Sequence, residues 1–438
     1  MEEQLFHTLI TKRQKFMKCD IKKSKIHGQI TCPSNKSYTH RAIFLAALSD
    51  GKSIVKNILR SNDTEATISA CRSFGVQVHE EDDIITIKNT IGSSVSGSMI
   101  NAENSGTTIR IAIAIAALSG GNTMLTGDDS LRKRPMRPIL NALETLGITT
   151  ESDDGTPPIT IKGKIKGVEV NIQGDISSQF ISALLIIAPR LENGLTVNIQ
   201  GELVSKPYIE LTIAIMNEFG VKVNCEIPYK KYVIAHQIYK PTTCTIPSDF
   251  SNLALLLAAN VLLGDGVSFD ISLGDMPQGD EAIIDILEDM GVSVTLNGDK
   301  ITTKSPKLLN GGRFDLSDTP DLLPALAILI LKSSNPIEIF NVKHARYKET
   351  DRIAVICREL EKIGIDVKEN DDGMVLTPTE NLNPAELNAE NDHRLFMAFS
   401  IIGMYIGDCS VTDPDSVKVS YPDFITDMKN SGGQIIPV

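Results

Sequence analysis

No stretch of this sequence is long and apolar enough to cross a bilayer. Its longest apolar runs, residues 111–118 and 253–263, fall far short of the roughly 20 residues that a spanning helix needs. The first 30 residues carry no apolar core of the secretory type, and their lysines lie among polar residues. Met17 stands beside Met1 as a second candidate start, the residues before it being an extension or a frayed terminus. Cysteines are few: the seven, at 19, 32, 71, 225, 244, 357 and 409, are odd in number, scattered, and form no Cys-x-x-Cys. That argues against a disulfide framework and a zinc site, and for the reducing cytoplasm. The seven histidines form no His-x-x-x-His pair, so no metal site is expected. Positive charge is in deficit, 43 Lys and Arg against 55 Asp and Glu, for a net charge of −12. Nucleic acid and anionic membranes are thereby disfavoured as partners. An anionic ligand needs a local basic cluster set against the overall field.

At 438 residues, 42% of them apolar, the chain exceeds one ordinary core, and two domains of about 200 residues each are expected. One signature recurs: an apolar residue, a glycine, then an alternating strand pattern. It stands at Phe74-Gly75-Val76, Leu146-Gly147-Ile148, Phe219-Gly220-Val221, Met290-Gly291-Val292 and Ile363-Gly364-Ile365, and in degenerate form at Gly432-Gly433. Successive glycines are 68–73 residues apart. One glycine closing a helix before a strand means little; six at near-constant spacing indicate a repeated unit. A second signature runs in phase, six apolar helical stretches each leading into a short β-branched strand, at 42–58, 111–125, 181–199, 253–271, 325–342 and 396–411. These helices are apolar nearly all round and belong inside a domain, whereas the amphipathic stretches 282–290 and 352–363 belong nearer its surface. The reading is α/β, with six repeated α/β units, three per domain.

Before each apolar helix stands a polar cluster: Asn35-Lys36-Ser37, Asn104-Ser105-Gly106-Thr107-Thr108, Ser177-Ser178-Gln179, Pro247-Ser248-Asp249, Thr319-Pro320-Asp321 and Asn391-Asp392-His393-Arg394. Ser, Thr, Asn and Asp at such points are N-caps worth about 1 kcal/mol each, and capping suffices for Ser248-Asp249. It does not account for Lys36, Arg41, Arg110 and Arg394, because a cation in the first turn opposes the helix dipole. Free N–H groups and cations make sense together where helix starts face bound anions. Two basic stretches, 132–137 and 348–352, lie in loops near the same ends. They read either as solvated surface or as further cations of the same cluster.

From about residue 26 to 438 these motifs resemble the 5-enolpyruvylshikimate-3-phosphate synthase family of enolpyruvyl transferases, also called 3-phosphoshikimate 1-carboxyvinyltransferases. The stretches that carry the resemblance are Asn35-Lys36-Ser37-Tyr38-Thr39-His40-Arg41, Asn104-Ser105-Gly106-Thr107-Thr108-Ile109-Arg110, Arg134-Pro135-Met136, Ser177-Ser178-Gln179-Phe180 and Ser205-Lys206-Pro207-Tyr208-Ile209. The strongest are Lys348-Glu349-Thr350-Asp351-Arg352 and Asn391-Asp392-His393-Arg394. The resemblance implies a two-domain inside-out α/β barrel with three units per domain, helices inside, sheets outside and helix N-termini converging on a cleft. One domain would span 33–247 and the other 1–32 plus 248–438, with two chain crossings. It further implies transfer of the enolpyruvyl group of phosphoenolpyruvate to the 5-hydroxyl of shikimate 3-phosphate, by addition and elimination, without metal or cofactor. The product would lead towards chorismate and the aromatic amino acids, and the working form would be a monomer.

Carried over motif by motif, the resemblance assigns phosphoenolpyruvate to Lys36, Asn104, Gly106, Arg134, Gln179, Arg352, Arg394 and Lys418. It assigns shikimate 3-phosphate to Lys36, Ser37, Arg41, Ser177, Ser178, Gln179, Ser205, Tyr208, Asp321, His344 and Lys348. Asp321 is the expected base for the 5-hydroxyl, and Glu349 and Lys36 the expected proton donors. Arginine suits such ligands because its planar fork gives carboxylate and phosphate two parallel hydrogen bonds. Three positions depart from the family pattern: His344 replaces a common Asn, Lys418 stands in Lys-Val-Ser-Tyr-Pro, and Ile111 replaces a proline of some members. Three other readings were weighed. The sibling acting on UDP-N-acetylglucosamine typically carries a cysteine before the second unit's Arg-Pro, and none lies between Cys71 and Cys225. A phosphometabolite sensor would lack the acid–base set that Asp321, Glu349 and Lys36 supply, and a protein-binding scaffold leaves the cations unexplained.

Overall fold

Six four-stranded sheets carry six copies of one βαβαββ unit in the computed structural model, which describes residues 18–88 and 98–438. The choice between Met1 and Met17 as start lies outside the described residues. The second unit shows the pattern. Strand Ser98–Asn101 leads into the apolar helix Gly106–Ser119 and then strand Asn122–Thr126, parallel to the first with Met99 opposite Met124. The outer helix Arg137–Thr145 follows, and the hairpin Thr149–Asp153 and Thr156–Lys162 completes the sheet antiparallel. Alternation of buried and exposed residues fits each inner strand to a sheet wet on one face.

The inner helices are Lys36–Leu48, Gly106–Ser119, Ser178–Ile187, Phe250–Leu263, Leu323–Ile328 and His393–Ile406. Most are buried on every side, as their all-round apolar sequences demand. The fifth departs from the expected long stretch: it keeps only 6 α-helical residues between 3-10 turns at Pro320–Leu322 and Leu329–Lys332. Pro320 and Pro324 withhold two amide donors there. All six signature glycines take φ between +80° and +102°, closing an outer helix as a side chain with a Cβ would do only under strain.

Three sheets are completed from a distance. Strand Thr243–Thr245 pairs parallel with Lys52–Lys56 and is the first strand of unit one. Strand Ile26–Thr31 does the same for Gly264–Asp270 in unit four. Strand Lys18–Lys22 slots between Cys409–Thr412 and Gln434–Pro437 in unit six. The buried apolar residues accordingly form two clusters, one drawn from 38–246 and the other from 19–32 with 250–435. We propose domains of 33–247 and 18–32 plus 248–438 on this division. The two crossings lie side by side: the Asn35 amide donates to the Pro247 carbonyl and the Asp249 amide to the Pro33 carbonyl, both at 2.8 Å.

Ile21 is fully buried in the inserted strand and fills the space over Gly403. Ile21→Ala is expected to cost about 2–5 kcal/mol in a urea titration. A loss of less than about 1 kcal/mol would mean that this strand contributes little to the second domain.

Candidate active site

Five of the six inner helices begin at one cleft of about 810 Å³, counting its open mouth. Capping and ligand-facing work fall to neighbouring residues. Asn35, Ser105 and Asp392 turn inward and accept from the amides of Tyr38 at 2.7 Å, Thr108 at 3.2 Å and Arg394 at 2.9 Å. The residues just beyond them, Lys36, Ser37, Gly106, His393 and Arg394, line the cleft. The fourth helix is the exception to the expected convergence. Its cap Asp249 accepts from the Asn252 amide and, at 2.9 Å, from the Lys36 amide, so this start is spent on the chain crossing.

The first wall presents two guanidiniums. Arg110 lies over the Phe180 ring at 4.8 Å and donates to Gln179 Oε1 at 2.7 Å, while Arg134 donates to Asn104 Oδ1 at 2.7 Å. A Cβ on Gly106 would stand 3.1 Å from Arg134 and 3.6 Å from Arg110, so the glycine lets both charges approach the helix start. Burial, reinforced by Arg134, pushes the Arg110 guanidinium down to about 9. Among the described residues the one carboxylate in contact with this pair is Glu349, 4.0 Å from Arg134. Buried nitrogens of Arg110, Arg134 and Arg394 have no hydrogen-bond partner among the described residues. Lys36 pairs with Asp63 at 3.1 Å.

The second wall holds the carboxylates. Asp321 accepts from Arg352 at 2.7 Å and lies 3.4 Å from both Lys348 and Arg394. The Tyr208 hydroxyl, from the opposite wall, reaches it at 3.3 Å. Partial burial raises the Asp321 carboxyl, but Lys348, Arg394, Arg352 and Lys36 together hold it well below the usual range. Glu349 is held down likewise against its burial, chiefly by Arg352 at 2.8 Å and Arg134 at 4.0 Å. Arg352 also donates to Asp392 at 2.7 Å, which gives it three carboxylate partners.

Most expected residues meet here: Lys36, Ser37, Gly106, Arg134, Ser177, Ser178, Gln179, Ser205, Tyr208, Asp321, His344, Lys348, Glu349, Arg352 and Arg394 all line the cleft. Ser205 holds a left-handed backbone, φ 56°, and its amide bonds Ser317 across the cleft at 2.9 Å. His344 is buried with Nε2 unpartnered among the described residues, and burial, then Lys348, lowers its pKa to about 3. Three residues stand elsewhere. Arg41 lies behind the lining, bonded to Thr212 at 2.7 Å and to the Ser37 carbonyl at 2.9 Å. Asn104 stands behind Arg134 and donates to Asp128 at 2.7 Å. Lys418 is exposed and pairs with Asp415 at 2.7 Å. Sequence reasoning gave no role to Asp63 or Thr107, and left Arg110 without a ligand. Asp63 opens an outer helix, where an acid reads as an ordinary first-turn residue.

A family model described as EPSP synthase (3-phosphoshikimate 1-carboxyvinyltransferase) matches residues 21–428. The chain belongs to that family. A 3-phosphoshikimate 1-carboxyvinyltransferase of Nitrosopumilus maritimus is 59% identical over 421 residues, covering 96% of this chain and 100% of the relative. One from Methanosarcina acetivorans is 42% identical over 426 residues, covering 96% and 99%. Among solved structures, EPSP synthase from Acinetobacter baumannii superposes with a TM-score of 0.77 at 24% identity, covering 96% of this chain and all of that one. The enolpyruvyl transferase NikO from Streptomyces tendae gives 0.76 at 17%, covering 97% and 99%. These two likenesses concern the fold alone; membership rests on the family model and the close relatives. Among the described residues no helix is long and apolar enough to cross a membrane, and no group of three or more His, Cys, Asp or Glu is arranged to hold a metal ion.

Cations crowded into one cleft repel one another, and an added anion relieves that repulsion. Inorganic phosphate at a hundredfold its Kd is expected to stabilise the protein by about 2.7 kcal/mol, read as a rise in Tm. Arg134→Ala and Arg394→Ala should each shrink that rise. An undiminished rise in both variants would place the phosphate elsewhere.

Proposed function

We infer that the chain carries out its family's reaction, moving the enolpyruvyl group of phosphoenolpyruvate onto the 5-hydroxyl of shikimate 3-phosphate and releasing phosphate. The observation that carries this reading is the setting of Asp321, an ionised carboxylate among Lys348, Arg352 and Arg394, with Tyr208 facing it from the other wall. The carboxylate and phosphate of phosphoenolpyruvate take over Arg134, Arg352 and Arg394, cations that pair with Asp321 and Glu349 in the free site. Shikimate 3-phosphate lies along Ser37, Ser177, Ser178, Ser205 and Lys348, with Tyr208 and the unpartnered His344 nitrogen beside it.

Displacing those ion pairs raises the proton affinity of both carboxylates, since each is held down by the cations that the substrate then occupies. Asp321 accepts the 5-hydroxyl proton as the oxygen attacks C2 of phosphoenolpyruvate. Glu349 or Lys36 protonates C3, giving a tetrahedral ketal. The C3 proton then returns to the group that gave it, the other of Glu349 and Lys36 protonates the departing phosphate oxygen, and cleavage of the C2–O bond restores the double bond. Arg41 supports Ser37 from behind rather than by touching substrate. Both walls come from one chain, which supports a monomer as the working unit. The seven unpaired cysteines suit a reducing cytoplasm.

Phosphate release on mixing the purified chain with both substrates tests the reaction, and absence of release would remove it. Asp321→Ala should bind both substrates and lower kcat by about two to four powers of ten; near-normal turnover would remove Asp321 as the base. Arg134→Ala and Arg394→Ala should each raise the KM for phosphoenolpyruvate far more than that for shikimate 3-phosphate, although they stand on opposite walls. Equal effects on both constants would overturn the assignment.

A further inference from the structure

Behind Asp321 stands a second carboxylate that the reaction scheme leaves unused. Asp280 lies in the turn Gly279–Ala282 and is 4% exposed. Its Oδ2 is 3.4 Å from the Tyr208 hydroxyl, which is itself 3.3 Å from Asp321 Oδ2. One phenolic proton is thus placed between two carboxylates from the other wall. Both distances are long for O–H···O. The Ser251 hydroxyl donates to the same Oδ2, while Oδ1 is buried with no partner among the described residues. Asp280 and Tyr208 also line a small second pocket beside Asn35 and Gln278, which adjoins the cleft through Ser37 and Tyr208.

We propose that Asp280 is a positioning residue of the transfer, receiving through the Tyr208 hydroxyl the proton that Asp321 takes from the 5-hydroxyl and handing it to water in the second pocket. The proposal rests on Asp321 as the base. The relay balances within itself. The Asp321 carboxyl O–H bond breaks as its proton joins the Tyr208 oxygen, and the Tyr208 O–H bond breaks as that proton joins Asp280 Oδ2. Tyr208 ends as it began and no tyrosinate forms, in keeping with burial and the two carboxylates keeping its own proton tightly bound. The group that protonates the departing phosphate regains its own proton from solvent when the cleft opens.

Asp321 is held well below the usual carboxylate range, whereas burial and then the Asp321 charge raise Asp280 to about 7. The groups facing Asp280 are Ser251 and Asp249 from the fourth inner helix and its cap, Tyr208 from the helix Lys206–Glu218, Asp321, and Arg394 from the sixth inner helix. Of these the Ser251 bond and Arg394 favour the ionised form, and Asp321 and Asp249 oppose it. A filled cleft excludes water from Asp321, so a path leading away from the substrates lets the base be reset without reopening. Next to Asp280, Gln278 accepts from Asn35 at 2.6 Å and donates to the Ser248 carbonyl at 2.9 Å, tying the turn to the chain crossing.

Asp280→Asn tests this, because Asn still accepts from Ser251 and Tyr208 but takes no proton. The expected result is a kcat lower by about ten- to hundredfold, both KM values within about twofold of wild type, and loss of the ionisation near pH 7 from the kcat profile. Asp280→Glu should restore part of the rate. Adding Tyr208→Phe to Asp280→Asn should cost no more than Tyr208→Phe alone. An unchanged kcat and pH profile, a change confined to KM, or multiplicative losses in the double variant would each overturn the relay. If Asp280→Asn fails to fold, Tyr208→Phe alone must lose the same ionisation, and keeping it would equally overturn the proposal. Asp321→Asn separates the two ideas: turnover retained there refutes the base itself, whereas an inactive Asp321→Asn beside a normal Asp280→Asn refutes only the relay.

Discussion

Six cations in one cleft repel one another, and the rest of the site is arranged around that repulsion. Lys36, Arg110, Arg134, Lys348, Arg352 and Arg394 line a space of about 810 Å³, several of them at helix starts whose dipoles also point positive charge inward. A chain of net charge −12 does not gather them by accident of composition. The protein's own carboxylates supply counter-charge: Asp63 for Lys36, Asp392 for Arg352, Asp321 for Lys348 and Arg394, and Glu349 for Arg134, while Arg110 has no carboxylate partner among the described residues. Two of these four are the groups assigned to move protons. On the proposed assignments, the pairs that hold the cleft together are therefore pairs that the substrates would exchange.

The fold meets this requirement by keeping the helices inside and the sheets outside. Inner helices buried on every side have fixed axes, so their first turns can be aimed to a common point. The N-capping side chains then satisfy one amide each and leave the adjoining residue free to face a ligand. Insertion of Lys18–Lys22 and Ile26–Thr31 into distant sheets ties the start of the chain to the second cluster. Among the described residues two adjacent stretches of backbone, bridged at Ser34 and Ser248, then run between the two clusters.

The repeat, the inner helices and most of the cleft were legible because they rest on local signals. Glycines at constant spacing mark helix ends, all-round apolar runs mark buried helices, and cations at helix starts contradict the dipole unless an anion is present. What was not legible depends on distance or direction. Nothing in Lys18–Lys22 says that it pairs with residues almost 400 positions away. The prolines at 320 and 324 were visible, but how far the fifth helix would shorten was not. Arg41 and Lys418 share residue type and motif with true lining residues, yet one side chain turns behind the wall and the other to solvent. Asp63 and Asp280 each open a helical turn, where an acid needs no further reason. Only the placement of Lys36 and Tyr208 beside them gives these two carboxylates a function.

Arg352 shows why the two substrates cannot be independent at such a site. It donates to Asp321, Glu349 and Asp392 at once, so four of its five N–H donors are already committed and too few are left for a two-point contact with an anion. An incoming carboxylate or phosphate must take some of those donors from Asp321 or Glu349. Whichever carboxylate is released loses its strongest counter-charge, gains proton affinity and becomes a better base or acid. Asp321 is held at the same time by Lys348, which is assigned to the other substrate. Each ligand thus loosens a pair that also opposes the other, and the catalytic carboxylates reach their working proton affinity only when both anions are in place. On the assignments proposed for these residues, the charge cluster would also withhold proton transfer until both substrates are together.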